Sequence, residues 1–206
     1  MMNSTPIIKS FAPPPVKKRE IYRYMKCKEG DGETEALVNQ ALSLVEGELR
    51  YDTVSLKLDI ISISDGVIDF GNTKVKSYDL AKNLCDCDGA VIFAATLGIS
   101  LDRLIAKHGR ISPATALALQ AVGSERIEAL CDALCDDIKD QYGHIRPRFS
   151  AGYGDLPLEF QKDIFSLLSC SKCIGLTLNE SLLMSPIKSV TAIIGIKKTD
   201  QNNEIT

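Results

Sequence analysis

Long apolar runs are missing from this 206-residue sequence. No stretch approaches the roughly 20 consecutive apolar residues that a membrane-spanning helix needs. The opening, MMNSTPIIKSFAPPP, also lacks the basic segment and apolar core of a secretory signal. An excess of positive charge is missing too, because the net charge is −3. Since neutralising phosphates takes a clustered basic surface, we expect no binding to nucleic acid and none to membranes.

Histidines and complete metal-ligand motifs are equally scarce. His108 and His144 stand apart from any Ser or Cys nucleophile motif, so nothing indicates a catalytic triad. The seven cysteines include Cys170-x-x-Cys173, but no second pair completes a zinc site. We interpret all seven as structural or incidental thiols and expect no metal. An odd number of cysteines without a signal peptide is typical of a reducing compartment, which predicts a cytoplasmic protein.

Hydrophobic periodicity indicates mixed secondary structure. Residues 54–60 alternate as a half-buried strand does, residues 90–94 (AVIFA) favour a fully buried strand, and Ser112-Pro113 marks the start of a helix that runs to about Gln141. Further elements are predicted as helices over 33–48, 79–84 and 157–168, strands over 175–178 and 190–196, and a hairpin at Asp65-Gly66. Without a regular alternation of helix and strand, the class is α+β.

The chain divides by composition into three parts. Four of the eight prolines fall within residues 1–16, which predicts a flexible leader over residues 1–18 that includes the basic Lys17. Residues 19–198 are expected to form a single domain, and residues 199–206 a disordered tail.

Two groups of polar residues are candidates for a site. Glu125, Glu128, Asp132 and Asp136 share one face of the long helix at spacings of three and four residues. Such a stripe is either a solvated face or a surface from which Glu128 or a neighbour turns towards a cationic ligand. Repulsion among the four carboxylates calls for a compensating charge.

The second candidate is the loop RPRFSAGYG at residues 146–154, in which Arg148, Gly152 and Tyr153 follow the spacing R-x-x-x-G-Y. Arginine offers a planar pair of donors to a carboxylate. Glycine lets a ligand approach the backbone, and tyrosine adds a ring face and a hydroxyl. Together the three residues favour a zwitterionic ligand that carries an aromatic base, and the alternative is a structural turn.

Several motifs in one register resemble the activation domain of cobalamin-dependent methionine synthase. They are AVIFAATLGISLDRLI (90–105), IRPRFSAGYGD (145–155), LPLEFQKDIFSLL (156–168), IGLTLNESLLMSP (174–186) and KSVTAIIGI (188–196). The resemblance covers residues 80–196 and is strongest after Ile145. It implies a bent antiparallel sheet with helices packed around it, in agreement with the α+β class.

The resemblance also implies a function in methionine biosynthesis. Activation domains bind S-adenosylmethionine through the R-x-x-x-G-Y loop, here Arg148, Gly152 and Tyr153. They support reactivation, in which an electron from a flavodoxin-like donor and a methyl group from S-adenosylmethionine convert inactive cob(II)alamin to methylcobalamin. Such a domain positions the methyl donor and needs no catalytic nucleophile of its own.

The sequence shows no Asp-x-His-x-x-Gly signature of a cobalamin module, and no homocysteine or folate module. We therefore expect an accessory subunit that acts on a separate methionine synthase lacking its own activation domain, with cobalamin bound by that partner. The alternative is an S-adenosylmethionine-binding regulatory or structural partner of another corrinoid protein, without methyl transfer.

Two departures from the family pattern affect the site. Ala151 stands where the family commonly has proline before Gly-Tyr, and Arg146 is an additional cation in the loop. Arg146 is thus the second candidate for the carboxylate contact. Family members also use an acidic residue of the long helix. We assign that role to Glu128, with Glu125 and Asp132 as the alternatives.

Overall fold

The computed structural model describes residues 5–28 and 32–198. The strands are β1 (Ile7–Ser10), β2 (Asp52–Asp59), β3 (Ser62–Ser64), β4 (Val67–Asp69), β5 (Lys74–Lys76), β6 (Cys87–Thr96), β7 (Thr177–Leu178), β8 (Met184–Ser185) and β9 (Ser189–Lys197). The helices are α1 (Lys18–Met25), α2 (Gly32–Val45), α3 (Tyr78–Asn83), α4 (Ile99–Ile111), α5 (Pro113–Tyr142), α6 (Gln161–Leu168) and α7 (Cys170–Ile174). A short 3-10 turn, Leu158–Phe160, leads into α6.

The main sheet has the strand order β1-β2-β6-β9, and every neighbouring pair is antiparallel. Its central strand β6 is apolar on both faces, because Val91 and Phe93 join a core with α1, α2 and α5. Ile92 and Ala94 point to the opposite face and join a second core with α6 and α7. The α+β class with an antiparallel sheet is confirmed, and the two-sided burial explains the continuous apolar run AVIFA.

Helix α5 is the longest element, with 30 residues and a length of about 45 Å. Its start is as predicted: the Ser112 hydroxyl accepts a hydrogen bond from the backbone N–H of Thr115, and Pro113 occupies the first turn. Midway along it, a Cβ added to Gly123 would lie 2.5 Å from Cδ2 of Leu101. Helices α4 and α5 therefore approach each other closely at this glycine.

The predicted hairpin at Asp65-Gly66 joins β3 to β4. Both residues have positive φ, 50° and 76°, which matches the right-handed twist of the two strands. The other predicted elements are present with shifted ends. For example, the helix predicted over 33–48 ends at Val45.

The amino-terminal segment differs from the predicted flexible leader. Ile8 pairs with Val54 in the main sheet, and the N–H of Phe11 donates to the carbonyl of Tyr51 at 2.9 Å. Composition predicts mobility from the prolines, but the partners of this segment lie far away in the chain. Residues 1–4 and the tail predicted over 199–206 lie outside the described residues.

Candidate ligand-binding site

Backbone hydrogen bonds join the loop that carries Arg148 to β9. Phe149 and Ile193 exchange two backbone hydrogen bonds of 2.9 Å, and the N–H of Arg146 donates to the carbonyl of Gly195 at 2.8 Å. The Phe149 side chain is buried in the second core. Because side chains alternate along an extended segment, Arg148 is directed towards α5.

Arg148 contacts Glu128 and Asp132, the two middle residues of the acidic stripe on α5. Its Nη2 atom lies 3.1 Å from Oε2 of Glu128 and 3.0 Å from Oδ1 of Asp132. Burial opposes the charge on Arg148, but the surrounding acidic groups, Glu128 and Asp132 among them, hold the pKa of its guanidinium above the usual value. Arg148 therefore stays protonated and supplies the charge that the stripe requires.

The three side chains border an open cleft of about 330 Å³ between α1 and α5. Its lining is Lys17, Glu20, Arg23, Tyr24, Glu125, Glu128, Ala129, Asp132 and Arg148. Within the described residues, neither Nε nor Nη1 of Arg148 has a carboxylate partner. The cleft thus offers the Arg148 guanidinium to an anion and the oxygens of two carboxylates to a cation, which suits a zwitterion.

Gly152 and Tyr153 do not line this cleft. Gly152 has a φ of 85°, and its N–H donates to the carbonyl of Leu156 at 2.9 Å, which closes a turn in the loop. The Tyr153 ring is 69% exposed and packs edge-on against Phe149, with 5.3 Å between ring centroids. It borders a second, wider hollow near α3. Ala151, between the two regions, is partly buried against the second core.

A carboxylate that the sequence did not indicate anchors the end of this loop. Asp155 accepts hydrogen bonds from the N–H of Tyr78 at 2.7 Å, from the N–H of Asp79 at 3.1 Å and from the Ser77 hydroxyl. The bond from Ser77 contributes most to lowering the pKa of Asp155. More than seventy positions separate these partners, so no local pattern could have identified the contact.

Two of the alternative candidates form ion pairs with other residues, although one of them, Glu125, also lines the cleft. Arg146 forms a two-bonded ion pair with Asp86, with Nε–Oδ1 and Nη2–Oδ2 distances of 2.7 and 2.6 Å, and does not border the cleft. Glu125 is only 2% exposed and pairs with Arg126, so the interpretation as a solvated face is wrong for this residue. Lys17, assigned above to the flexible leader, does line the cleft.

The thiols behind Arg148 remain protonated at neutral pH. Burial raises the pKa of Cys131 to about 12 and that of Cys135 to about 11. Across residues 5–28 and 32–198, no group of three or more His, Cys, Asp or Glu side chains could hold a metal ion. The same residues contain no helix with the length and apolar character needed to cross a membrane.

Comparison with known proteins assigns the chain to a family. Residues 89–202, more than half of the chain, match the family model for the vitamin B12 dependent methionine synthase activation domain. The chain belongs to this family. The matched part of this activation-domain chain includes Arg148, Glu128 and Asp132, whereas Lys17 and α1 precede it.

Solved structures agree at the level of the fold. A crystal structure of the MetH reactivation domain bound to AdoHcy superposes with a TM-score of 0.69 at 14% sequence identity. The superposition covers 93% of this activation-domain chain and 78% of the MetH chain. The comparison with curated proteins finds no match. At this identity the superposition shows a shared fold.

Proposed function

We propose that this activation-domain chain binds S-adenosylmethionine in the Arg148 cleft. We further propose that it supports the reductive methylation of cob(II)alamin on a separate cobalamin-dependent methionine synthase lacking its own activation domain. The observation that carries the proposal is the set formed by Arg148, Glu128 and Asp132 in an open cleft of a member of this family. AdoHcy bound to a protein of the same fold supports it.

The charges of the cleft fit those of the ligand. S-adenosylmethionine carries a carboxylate, an ammonium group and a sulfonium, and its carboxylate pairs with the guanidinium of Arg148. The ammonium and sulfonium lie towards Glu128 and Asp132. A volume of about 330 Å³ is at the small end for ligand pockets, so part of the adenosyl group extends out of the cleft.

In this proposal the chain binds and orients the methyl donor, and the cobalamin of the partner is the methyl acceptor. One electron from a flavodoxin-like donor reduces the cob(II)alamin. The S–CH₃ bond then breaks with its electron pair remaining on sulfur, and the methyl group bonds to cobalt, which yields methylcobalamin and S-adenosylhomocysteine. Orientation is sufficient for this role, so the chain needs no nucleophile.

Calorimetric titration of two variants from the same loop tests the binding site. Arg148→Ala removes a charge-assisted contact worth about 1.5–3 kcal/mol, so its Kd for S-adenosylmethionine should rise roughly tenfold to hundredfold. Arg146→Ala is the matched control, because Arg146 pairs with Asp86 outside the cleft. Unchanged binding by Arg148→Ala, or an equal loss in both variants, would remove the site from this cleft.

A reactivation assay tests the second half of the proposal. The chain is mixed with a cob(II)alamin-loaded methionine synthase that lacks an activation domain, a one-electron reductant and S-adenosylmethionine labelled in its methyl group. We expect labelled methylcobalamin that depends on the chain and decreases with Arg148→Ala. Saturable binding without methylcobalamin would instead favour the regulatory or structural role.

A further inference from the structure

A proline-rich segment crosses α5 beside the Arg148 cleft. This segment, residues 11–17, connects β1 to α1 and is here called the arm. Its three consecutive prolines have no N–H and favour an extended backbone. An extended proline segment forms no internal hydrogen bonds, so its carbonyl oxygens need donor partners from elsewhere in the chain. Arg126 supplies the donors: Nη1 donates to the carbonyl of Pro14 at 2.5 Å, and Nη2 donates to that of Pro15 at 2.9 Å.

Arg126 is held in place by its neighbour Glu125. The Nε and Nη2 atoms of Arg126 each lie 2.5 Å from a Glu125 carboxylate oxygen, and both side chains are at most 3% exposed. One of those oxygens also accepts the backbone N–H of Lys17 at 2.9 Å. A buried ion pair persists only where further hydrogen bonds satisfy its donors and acceptors, and here the arm provides them.

The arm ends at the wall of the cleft. Nζ of Lys17 lies 3.4 Å from Oδ2 of Asp132, the carboxylate whose other oxygen accepts from Arg148. Helix α1 begins at the next residue and contributes the remaining lining of that wall, Glu20, Arg23 and Tyr24. The position of this wall therefore depends on where the arm is bound to α5.

We propose that Glu125 and Arg126 form a latch that holds the arm across α5 and so places Lys17 and α1 as the far wall of the ligand cleft. We assign both a positioning role, because the hydrogen bonds above join them to each other and to the arm, although Glu125 also lines the cleft. The effect on ligand affinity rests on the proposed function, whereas the fastening of the arm does not.

The test is the double variant Glu125→Met/Arg126→Met, in which apolar side chains of similar length replace the buried pair. Hydrogen exchange read by mass spectrometry follows the amides of residues 11–20 other than the three prolines, which have none, and calorimetry gives the Kd for S-adenosylmethionine. Lys107→Ala is the control, because Lys107 is exposed on α4 and does not line the cleft. Lys17→Ala is a second variant, which leaves the latch intact and removes only the contact with Asp132.

In the double variant we expect the hydrogen exchange of the amides in residues 11–20 to accelerate at least about tenfold, while the amides of β6 and β9 keep their protection. We also expect its Kd for S-adenosylmethionine to rise about tenfold, which corresponds to about 1.4 kcal/mol. An arm that stays protected in the double variant would overturn the latch. A released arm with wild-type Kd would overturn its role in binding. If the double variant unfolds, an unchanged Kd in Lys17→Ala refutes that role. Failure of the wild-type chain to bind S-adenosylmethionine refutes the proposed function. In that case the hydrogen-exchange result alone shows whether Glu125 and Arg126 hold the arm on α5.

Discussion

Replacing Gly123 with alanine measures how closely α4 and α5 pack. In an exposed helix interior the change stabilises a protein by about 1 kcal/mol. Here the new Cβ would lie 2.5 Å from Cδ2 of Leu101 and 3.1 Å from two carbons of Lys188. Leu101 is fully buried, and Nζ of Lys188 is bonded to the Ser124 hydroxyl at 2.9 Å, so moving the two side chains away would disturb buried packing and this hydrogen bond. Overpacking costs about 1–3 kcal/mol, and we expect a net loss of about 1 kcal/mol.

Gly109 of α4 provides the matched control. A Cβ there meets nothing within 4 Å, and the residue is exposed, so Gly109→Ala should stabilise the chain by about 0.5 kcal/mol. Urea unfolding of the wild type and both variants gives the free energies of unfolding from transitions of equal slope. The two substitutions should change stability in opposite directions. If Gly123→Ala were as stable as Gly109→Ala, the close approach of α4 to α5 would be refuted.

Two further predictions concern titrating groups. At about pH 8, iodoacetamide should modify the exposed Cys85 but not Cys131, whose pKa burial raises to about 12; peptide mass spectrometry would contradict this if native Cys131 were alkylated. The hydrogen bond from Ser77 lowers the pKa of Asp155 in the folded chain. Its contribution to stability is therefore present above the unfolded pKa and is lost as the pH falls through the folded value. Asp155→Asn should thus destabilise the chain at neutral pH and progressively less in acid, as urea unfolding at several pH values can check; a loss independent of pH would contradict the assignment.

Elements with a strong local signal were predictable from the sequence. Ser112-Pro113 starts α5 because a hydroxyl cap and a fixed φ act within one turn, and AVIFA forms β6 because a central strand is buried on both faces. Strand β1 was missed. Its four residues are all exposed at the edge of the sheet, so burial leaves no alternating pattern along them.

The candidate site was predictable only in part. The pattern R-x-x-x-G-Y identified the loop, and the acidic stripe identified the face of α5 that meets Arg148. Spacing could not show that Glu125 turns into the interior towards Arg126. Nor could it show that Tyr153 faces a different hollow from Arg148, because the turn at Gly152 separates them in space and not in sequence.

The sequence by itself determined the α+β class, the principal helices and strands, and the loop and helix that meet at the cleft. These features follow from hydrophobic periods and caps, which act over a few residues. Only the tertiary structure decided the partners: Arg148 with Asp132, sixteen positions apart, and Arg126 with Pro14, more than a hundred apart. Such contacts depend on how the helices and strands pack around the sheet. The residues that separate two partners in the sequence do not reveal how close the partners lie in the folded chain.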